Sequence, residues 1–150
     1  DDLHERAGSN EVWHVHGDLT KVTSSKNRFD MSCIQYYPLN EPIMVGQQAA
    51  DGSQLRPYIV WFGEYVTEYE TAAKIIQEAD IFVVIGTSLT VSPASDLIRC
   101  PHKSVPKFIT DPHKPDNSYN DDYLDLFEHI KMPAVAGMEA FVDRLLELQY

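Results

Sequence analysis

His14-Val15-His16-Gly17 sets two imidazoles two residues apart, with a glycine directly after the second. A free imidazole titrates near ~6.5, so it can take or give a proton at neutral pH. Beside Gly17 the His16 ring has room to face a cleft, which makes His16 the candidate general base. The plain alternative is a histidine on the exposed or satisfied face of a strand. On an extended segment His14 points to the same side as His16. A His-x-His pair can ligate a metal, yet no cysteine or carboxylate cluster with ligand spacing lies nearby, so no metal site is expected. A second chemical signal is Gly86-Thr87-Ser88. Small residues there let backbone N–H groups approach a phosphate, with two hydroxyls at hand. Its plain alternative is an ordinary turn from strand to helix.

The elements around these residues follow from patterning. Ile81-Phe82-Val83-Val84-Ile85 is apolar and mostly β-branched, and reads as a strand buried on both faces. Lys107 to Thr110 and His129 to Met132 read as two more strands. Glu68 to Ala79 carries Ala72, Ile75, Ile76 and Ala79 at helical spacing. Pro93 to Arg99 reads as a short helix with Pro93 in its first turn. A helical turn is expected around Tyr123 to Phe127, and a final helix opens at Gly137 with Phe141, Leu145 and Leu148 on one face. Alternating strands and helices imply a parallel sheet, with ligands at the carboxyl ends of its strands. Upstream, Glu11 to His16 reads as a short strand and Tyr58 to Phe62 as extended. Residues 20–57 hold Pro38, Pro42, Gly46 and Gly52 and read as loops with one or two short strands.

Asp1-Asp2-Leu3-His4-Glu5-Arg6-Ala7-Gly8, His16-Gly17, Val60-Trp61-Phe62-Gly63-Glu64, Gly86-Thr87-Ser88-Leu89 and the final helix follow one another in a telling order. By these runs the chain resembles the sirtuins (Sir2 family), NAD-dependent protein-lysine deacylases, over nearly its whole length. The resemblance implies an α/β fold: the C-terminal part of a Rossmann-like parallel-sheet NAD-binding domain plus a small insert module. Residues 1–19 and 58–150 would form the NAD-binding part, and 20–57 the insert. It implies NAD as cofactor, with His16 taking a proton from a ribose hydroxyl. Acyl groups of the acetyl class would leave protein lysines, giving nicotinamide and an acylated ADP-ribose. Gly86, Thr87 and Ser88 would contact NAD. Ile109, Thr110 and Asp111 fall at the adenosine ribose, Ala134 and Val135 at the adenine, and Asp1 at the nicotinamide carboxamide. Val60, Phe62, Gly63 and Glu64 would receive the substrate, by pairing with an extended peptide and lining the acyl-lysine tunnel.

Departures from the family pattern matter equally. Sirtuins usually carry two cysteine pairs in the insert, whereas 20–57 contains only Cys33, and Ser24 stands about where a first cysteine belongs. The pattern is that of a bacterial-type variant without the zinc cysteines, its insert held by Phe29, Ile34, Tyr36, Tyr37 and Leu39. A glycine-rich turn and the strands before it, which the family places ahead of this point, do not occur. The expectation is a C-terminal portion, weakly active or inactive alone, needing the missing strands from the parent chain or another chain. An NAD- or ADP-ribose-binding module without turnover, an NAD glycohydrolase and an ADP-ribosyltransferase stay open beside deacylation.

A formal charge of −11 argues against nucleic acid and anionic membranes as partners and favours basic protein segments. Two cysteines, far apart in sequence, fit a reducing, cytoplasmic setting.

Overall fold

The structure, a computed structural model, describes residues 1–115 and 121–147. It divides into two compact units, Asp1–Glu68 and Tyr69–Tyr150.

The first unit opens with a single helical turn, α1 (Leu3–Arg6), and is built on three strands: β1 (Gly17–Ser24), β2 (Gln35–Tyr36) and β3 (Leu55–Ile59). They form an antiparallel sheet in the order β2-β1-β3. The reading of 20–57 as loops with one or two short strands holds for most of its length, although β1 runs into that range and β3 begins inside it. Pairing of β1 with β3 slips between Asp18 and Val22, and Pro57 lies opposite Val22. A proline has no N–H for the ladder, so the irregularity and the proline belong together. Asp18 fills the bulge, accepting from Thr20 N–H at 2.9 Å and Thr20 Oγ1 at 2.7 Å. The core is Val22, Cys33, Ala49 and Leu55, flanked by Tyr37 and Ile43. Of the aromatic and aliphatic residues expected to hold the insert, Phe29, Tyr36 and Leu39 are exposed. Val22 of β1 and Leu55 of β3 take their place, with Cys33 and Ala49 packed against them.

No strand forms over 11–16. The Gly17 N–H donates to the His14 carbonyl at 2.9 Å, closing a turn just before β1. His14 and His16 therefore do not share a strand face.

The second unit has three parallel strands, β4 (Phe82–Ile85), β5 (Lys107–Thr110) and β6 (Glu128–Ile130), in sequential order. Helix α2 (Tyr69–Gln77) precedes β4, a 3-10 helix (Ala94–Arg99) lies between β4 and β5, and the α3 turn (Asp121–Leu124) precedes β6. The final helix, α4, spans Ala134–Glu147. The parallel α/β reading holds. Burial is distributed differently, however. β5 is buried along its whole length, whereas β4 is an edge strand whose Ile85 is exposed. An apolar run marks a strand without saying which of its neighbours are present. α2 ends before Ala79 and leaves Ile75 exposed. Leu148, expected on the last helix face, lies outside the described residues, as do 116–120 of the polar loop.

β5 organises this unit. Ile109 joins Val84, Leu89, Ile98, Leu124 and Phe127 in one core cluster. Phe108 meets Phe141 of α4 edge to face at 5.0 Å. Lys107 is buried, and its ammonium donates to the carbonyls of His102, Lys103 and Val105 at 2.7–3.1 Å. Burial lowers its pKa, and the three carbonyls supply the partners a buried cation requires. α4 comes so close that a Cβ on Gly137 would lie 2.2 Å from Thr110 Cγ2. Thr110 is fully buried and β-branched, so it has no free direction in which to give way. Gly137→Ala is accordingly expected to destabilise the protein by about 1–3 kcal/mol in a urea melt, the usual range for overpacking. Combining it with Thr110→Ser, which removes the opposing methyl, should recover most of that loss.

Candidate functional site

The first unit brings His16 and the Val60–Glu64 segment together. Gly17 pairs with Ile59 at the start of the β1–β3 ladder, and the Val60 N–H donates to the His16 carbonyl at 2.9 Å. The reason for a glycine after the histidine is steric. Gly17 has φ +85, and a Cβ there would sit 2.2 Å from the Tyr58 carbonyl oxygen and 2.8 Å from Ile59 Cα. Neither backbone atom can move without breaking the ladder. The His16 side chain is exposed at this corner. His14 serves as a tether. Its Nε2 lies 2.6 Å from Glu5 Oε1, fastening α1 to the turn that carries His16. This hydrogen bond lowers the Glu5 pKa.

Next to His16 the chain turns at 61–64. Phe62 is 93% exposed, and Gly63 has φ +85 with open space around it. Val60 is half-buried. Glu64, grouped by sequence with the substrate-facing residues, points inward instead. Both nitrogens of the Arg56 fork reach its carboxylate, the second at 3.1 Å, and the Trp61 N–H donates to it at 2.9 Å. The Arg28 Nε lies 3.8 Å away. The Arg56 hydrogen bonds, helped by the Trp61 N–H and the Arg28 charge, lower the Glu64 pKa to about 2 despite partial burial. Sequence reasoning assigned no role to Arg28 or Arg56. The spacing of eight between Arg56 and Glu64 is no local motif, and only the fold closes it.

The insert carries a second hydrogen-bonded knot. Ser24 is fully buried, and its hydroxyl lies 2.6 Å from Asp51 Oδ2 and 2.8 Å from Ser53 Oγ. It also accepts from the N–H groups of Lys26 and Asn27, each at 3.0 Å. A structural zinc needs soft or borderline ligands such as thiolate and imidazole. Hydroxyls and one carboxylate, already bonded to one another, do not fit it. Cys33 is packed among Val22, Ala49 and Leu55 instead. The bonds from Ser24 and Ser53 lower the Asp51 pKa to about 2.

In the second unit the carboxyl ends of β4, β5 and β6 collect most of the residues predicted to contact NAD. The Gly86 N–H donates to the Thr110 carbonyl at 3.0 Å, and the Asp111 N–H donates to the Ile130 carbonyl at 3.3 Å. Gly86 has φ +60 and open space where a side chain would be, so a ligand can approach its backbone. The Thr87 hydroxyl accepts from the Leu89 N–H at 3.2 Å, and Ser88 Oγ lies 2.9 Å from Thr90 Oγ1. Asp111 is half-buried, and His129 on β6 bonds its carbonyl at 2.8 Å, a contact that sequence alone did not suggest. Ala134 is exposed at the first turn of α4 rather than at a strand end. The open backbone at Gly86 and the hydroxyls of Thr87 and Ser88 beside it fit a phosphate-bearing ligand. Ile109 and Thr110 have buried side chains, leaving only their backbone for contact. Asp1 lies in the other unit, where its Oδ1 accepts from the Leu3 N–H at 3.1 Å. No helix among the described residues is long and apolar enough to cross a membrane.

Comparison with known proteins shows which family and fold the chain resembles. The family model described as "Sir2 family" matches residues 1–93. An NAD-dependent protein deacylase of Bacteroides thetaiotaomicron is 48% identical over 113 residues, covering 75% of this chain and 48% of the relative. One of Helicobacter pylori is 37% identical over 153 residues, covering 99% and 61%. Thus the chain spans about half to three-fifths of the length of these relatives. A Sir2 homologue solved with ADP-ribose superposes with a TM-score of 0.80 at 27% identity, covering 99% of this chain and 58% of that one. A Sir2 structure holding 2'-O-acetyl-ADP-ribose and a deacetylated peptide does so at 0.65 and 25% identity, covering 99% and 60%.

Two outcomes follow. Gly17→Ala forces a positive φ on a side chain that has no room, and should cost on the order of 2–4 kcal/mol by urea denaturation. For acid, both depressed carboxyls point the same way. Glu64 and Asp51 contribute stability fully present above their ordinary values of 4.5 and 3.8, and lost as pH falls toward about 2. The urea midpoint followed by tryptophan fluorescence should therefore drop across that window, and Glu64→Gln should flatten the drop. A midpoint that stays level from pH 4.5 to 2 would show that these knots do not hold the unit.

Proposed function

The chain belongs to the Sir2 family, and on that premise we propose that it takes part in NAD-dependent removal of acetyl-type acyl groups from protein lysines. The single observation that carries this reading is the β1–β3 corner, where an exposed imidazole at His16 is tied through its own carbonyl to Val60. A proton acceptor and an exposed, peptide-sized segment are thereby held side by side.

NAD, when bound, supplies an electrophilic sugar carbon and nicotinamide as a leaving group. The residues of this chain then have separate roles. Thr87 and Ser88 offer backbone N–H groups and hydroxyls to phosphate, and Gly86, without a side chain, lets it come close. Asp111 and Ala134 flank the adenosine portion, with Ile109 and Thr110 contributing backbone only. Asp1 would hydrogen-bond the carboxamide. His16 holds the proton taken from a ribose hydroxyl, and so raises the nucleophilicity of that oxygen. Val60 and Phe62 flank the acyl-lysine chain, while Gly63 lets an extended peptide backbone come close. One water is consumed, and the products are free lysine, nicotinamide and an acylated ADP-ribose. Within this reading 20–57 is the insert module and 1–19 with 58–150 the NAD-binding part. Acylated proteins are the partners, in a reducing, cytoplasmic setting. Neither nucleic acid nor membrane is among the partners proposed.

The test uses the longest reading frame that contains this chain. With NAD and an acetyl-lysine peptide, nicotinamide should be released in a peptide-dependent manner. His16→Ala should lower that release by on the order of 10²-fold or more, the usual range for loss of a general base. Full activity in His16→Ala would overturn the assignment, and release that ignores the peptide would indicate an NAD glycohydrolase instead.

A further inference from the structure

The turn at 61–64 presents a problem of support. Trp61 is 54%, Phe62 93% and Tyr65 65% exposed, so apolar packing does little to hold the segment proposed to receive substrate. What holds it is charge, and much of that charge comes from the insert. Arg28 is buried, with 9% of its surface exposed. Its Nη2 donates to the Tyr65 carbonyl, and its Nε stands 3.8 Å from Glu64 Oε2. Its guanidinium lies over the Phe29 ring, 4.4 Å from the centroid, and its own carbonyl accepts from buried Thr23 Oγ1 at 3.0 Å. The residue is thus anchored to β1 at its backbone and to the substrate segment at its tip.

Arg56 completes the arrangement from the other side. One of its nitrogens donates to the Ile59 carbonyl at 3.0 Å while the fork grips Glu64. Two guanidiniums therefore bind carbonyls at the two ends of the turn, Ile59 before it and Tyr65 after it. The Glu64 carboxylate sits between them and fixes the Trp61 N–H within. A planar fork is suited to this, since it satisfies several acceptors in fixed directions at once.

We propose that Arg28 is a positioning residue for acyl-lysine recognition: through Glu64 and the Tyr65 carbonyl it sets the pose in which Phe62 and Gly63 meet the substrate peptide. The proposal rests on the reading of the 60–64 segment as the peptide site. It gives the insert a function other than bracing itself, because its arginine shapes the surface that the substrate touches.

Amide hydrogen exchange tests the clamp without needing activity. In Arg28→Gln, the Trp61 and Glu64 amides should exchange faster by about tenfold or more, as expected when a charged hydrogen bond that resists local opening is lost. The β1–β3 ladder amides, such as Thr23, should change far less. Arg28→Lys keeps the charge without the fork and should fall between. Steady-state kinetics in the same reading frame should show the KM for peptide raised by a similar factor, with the KM for NAD within about twofold. Unchanged Trp61 and Glu64 exchange would overturn the proposal. So would an equal rise in every strand, which would make Arg28 merely a folding residue. If the unsubstituted protein releases no nicotinamide with any peptide, the deacylase reading fails, while the exchange pattern still decides whether Arg28 clamps the turn.

Discussion

The backbone at residue 17 passes so close to the Tyr58 carbonyl that no side chain fits between them. This one contact lets β3 return alongside β1 immediately after a histidine. The rest of the first unit follows from it. The imidazole of His16 is left at the exposed corner of a rigid ladder, and its carbonyl takes the first N–H of the segment that continues from β3. Catalytic groups need positions fixed by a scaffold rather than by their own short-range bonds, and a sheet corner supplies that fixity. His14 and Glu5 add a second tether from α1, so the turn is held on both sides.

Charge does in this unit what apolar packing does in the other. The second unit has a contiguous apolar cluster that includes Ile109 of β5, and α4 seats against Phe108 and Thr110 of the same strand through Phe141 and Gly137. In the first unit the cluster comprises only four residues, two of them Cys33 and Ala49. Carboxylates are the cross-links: Glu64 between arginines, Asp51 beneath Ser24 and Ser53, Asp18 inside the bulge. Burial opposes the ionised form of Asp18, but bonds from Thr20 and Lys21 outweigh it and keep its pKa below the ordinary value. The Ser24 knot ties the loops of its module with hydroxyls and one carboxylate. Each acceptor is matched to a donor already present in the chain, so no soft ligand set is required.

Periodicity worked where tertiary context agreed with it. The strand at 107–110 was legible to the residue, because Pro106 and Asp111-Pro112 bound a short run centred on Phe108 and Ile109. The amphipathic helix at 69–77 was legible within two residues at either end. The segment 11–16 misled for a physical reason. Alternating apolar and polar residues suit a strand, but a hydrogen bond from Gly17 back to His14 curls the chain first. The insert was read as loops with one or two short strands, and where those strands begin and end was not legible because they are short and its core small. The alternation that marks β1 is interrupted by the bulge at Asp18, and β3 carries a proline.

Residue types alone determined the chemistry on offer: an imidazole beside a glycine, a small-residue turn after an apolar strand, and too few thiols for a zinc site. These depend on side-chain identity and short spacing, which a linear chain states outright. They also determined the family, since the runs that carry it are local. Tertiary structure alone decided which charges meet. Arg28 lies far from Glu64 along the chain and Arg56 eight residues from it, and their guanidiniums find one carboxylate only after β1 and β3 pair. It likewise turned Glu64 inward, buried Ile109 and Thr110, and left Phe62 standing in solvent. Electrostatic partners are chosen by distance in space, and that distance exists only once the backbone has closed its ladders.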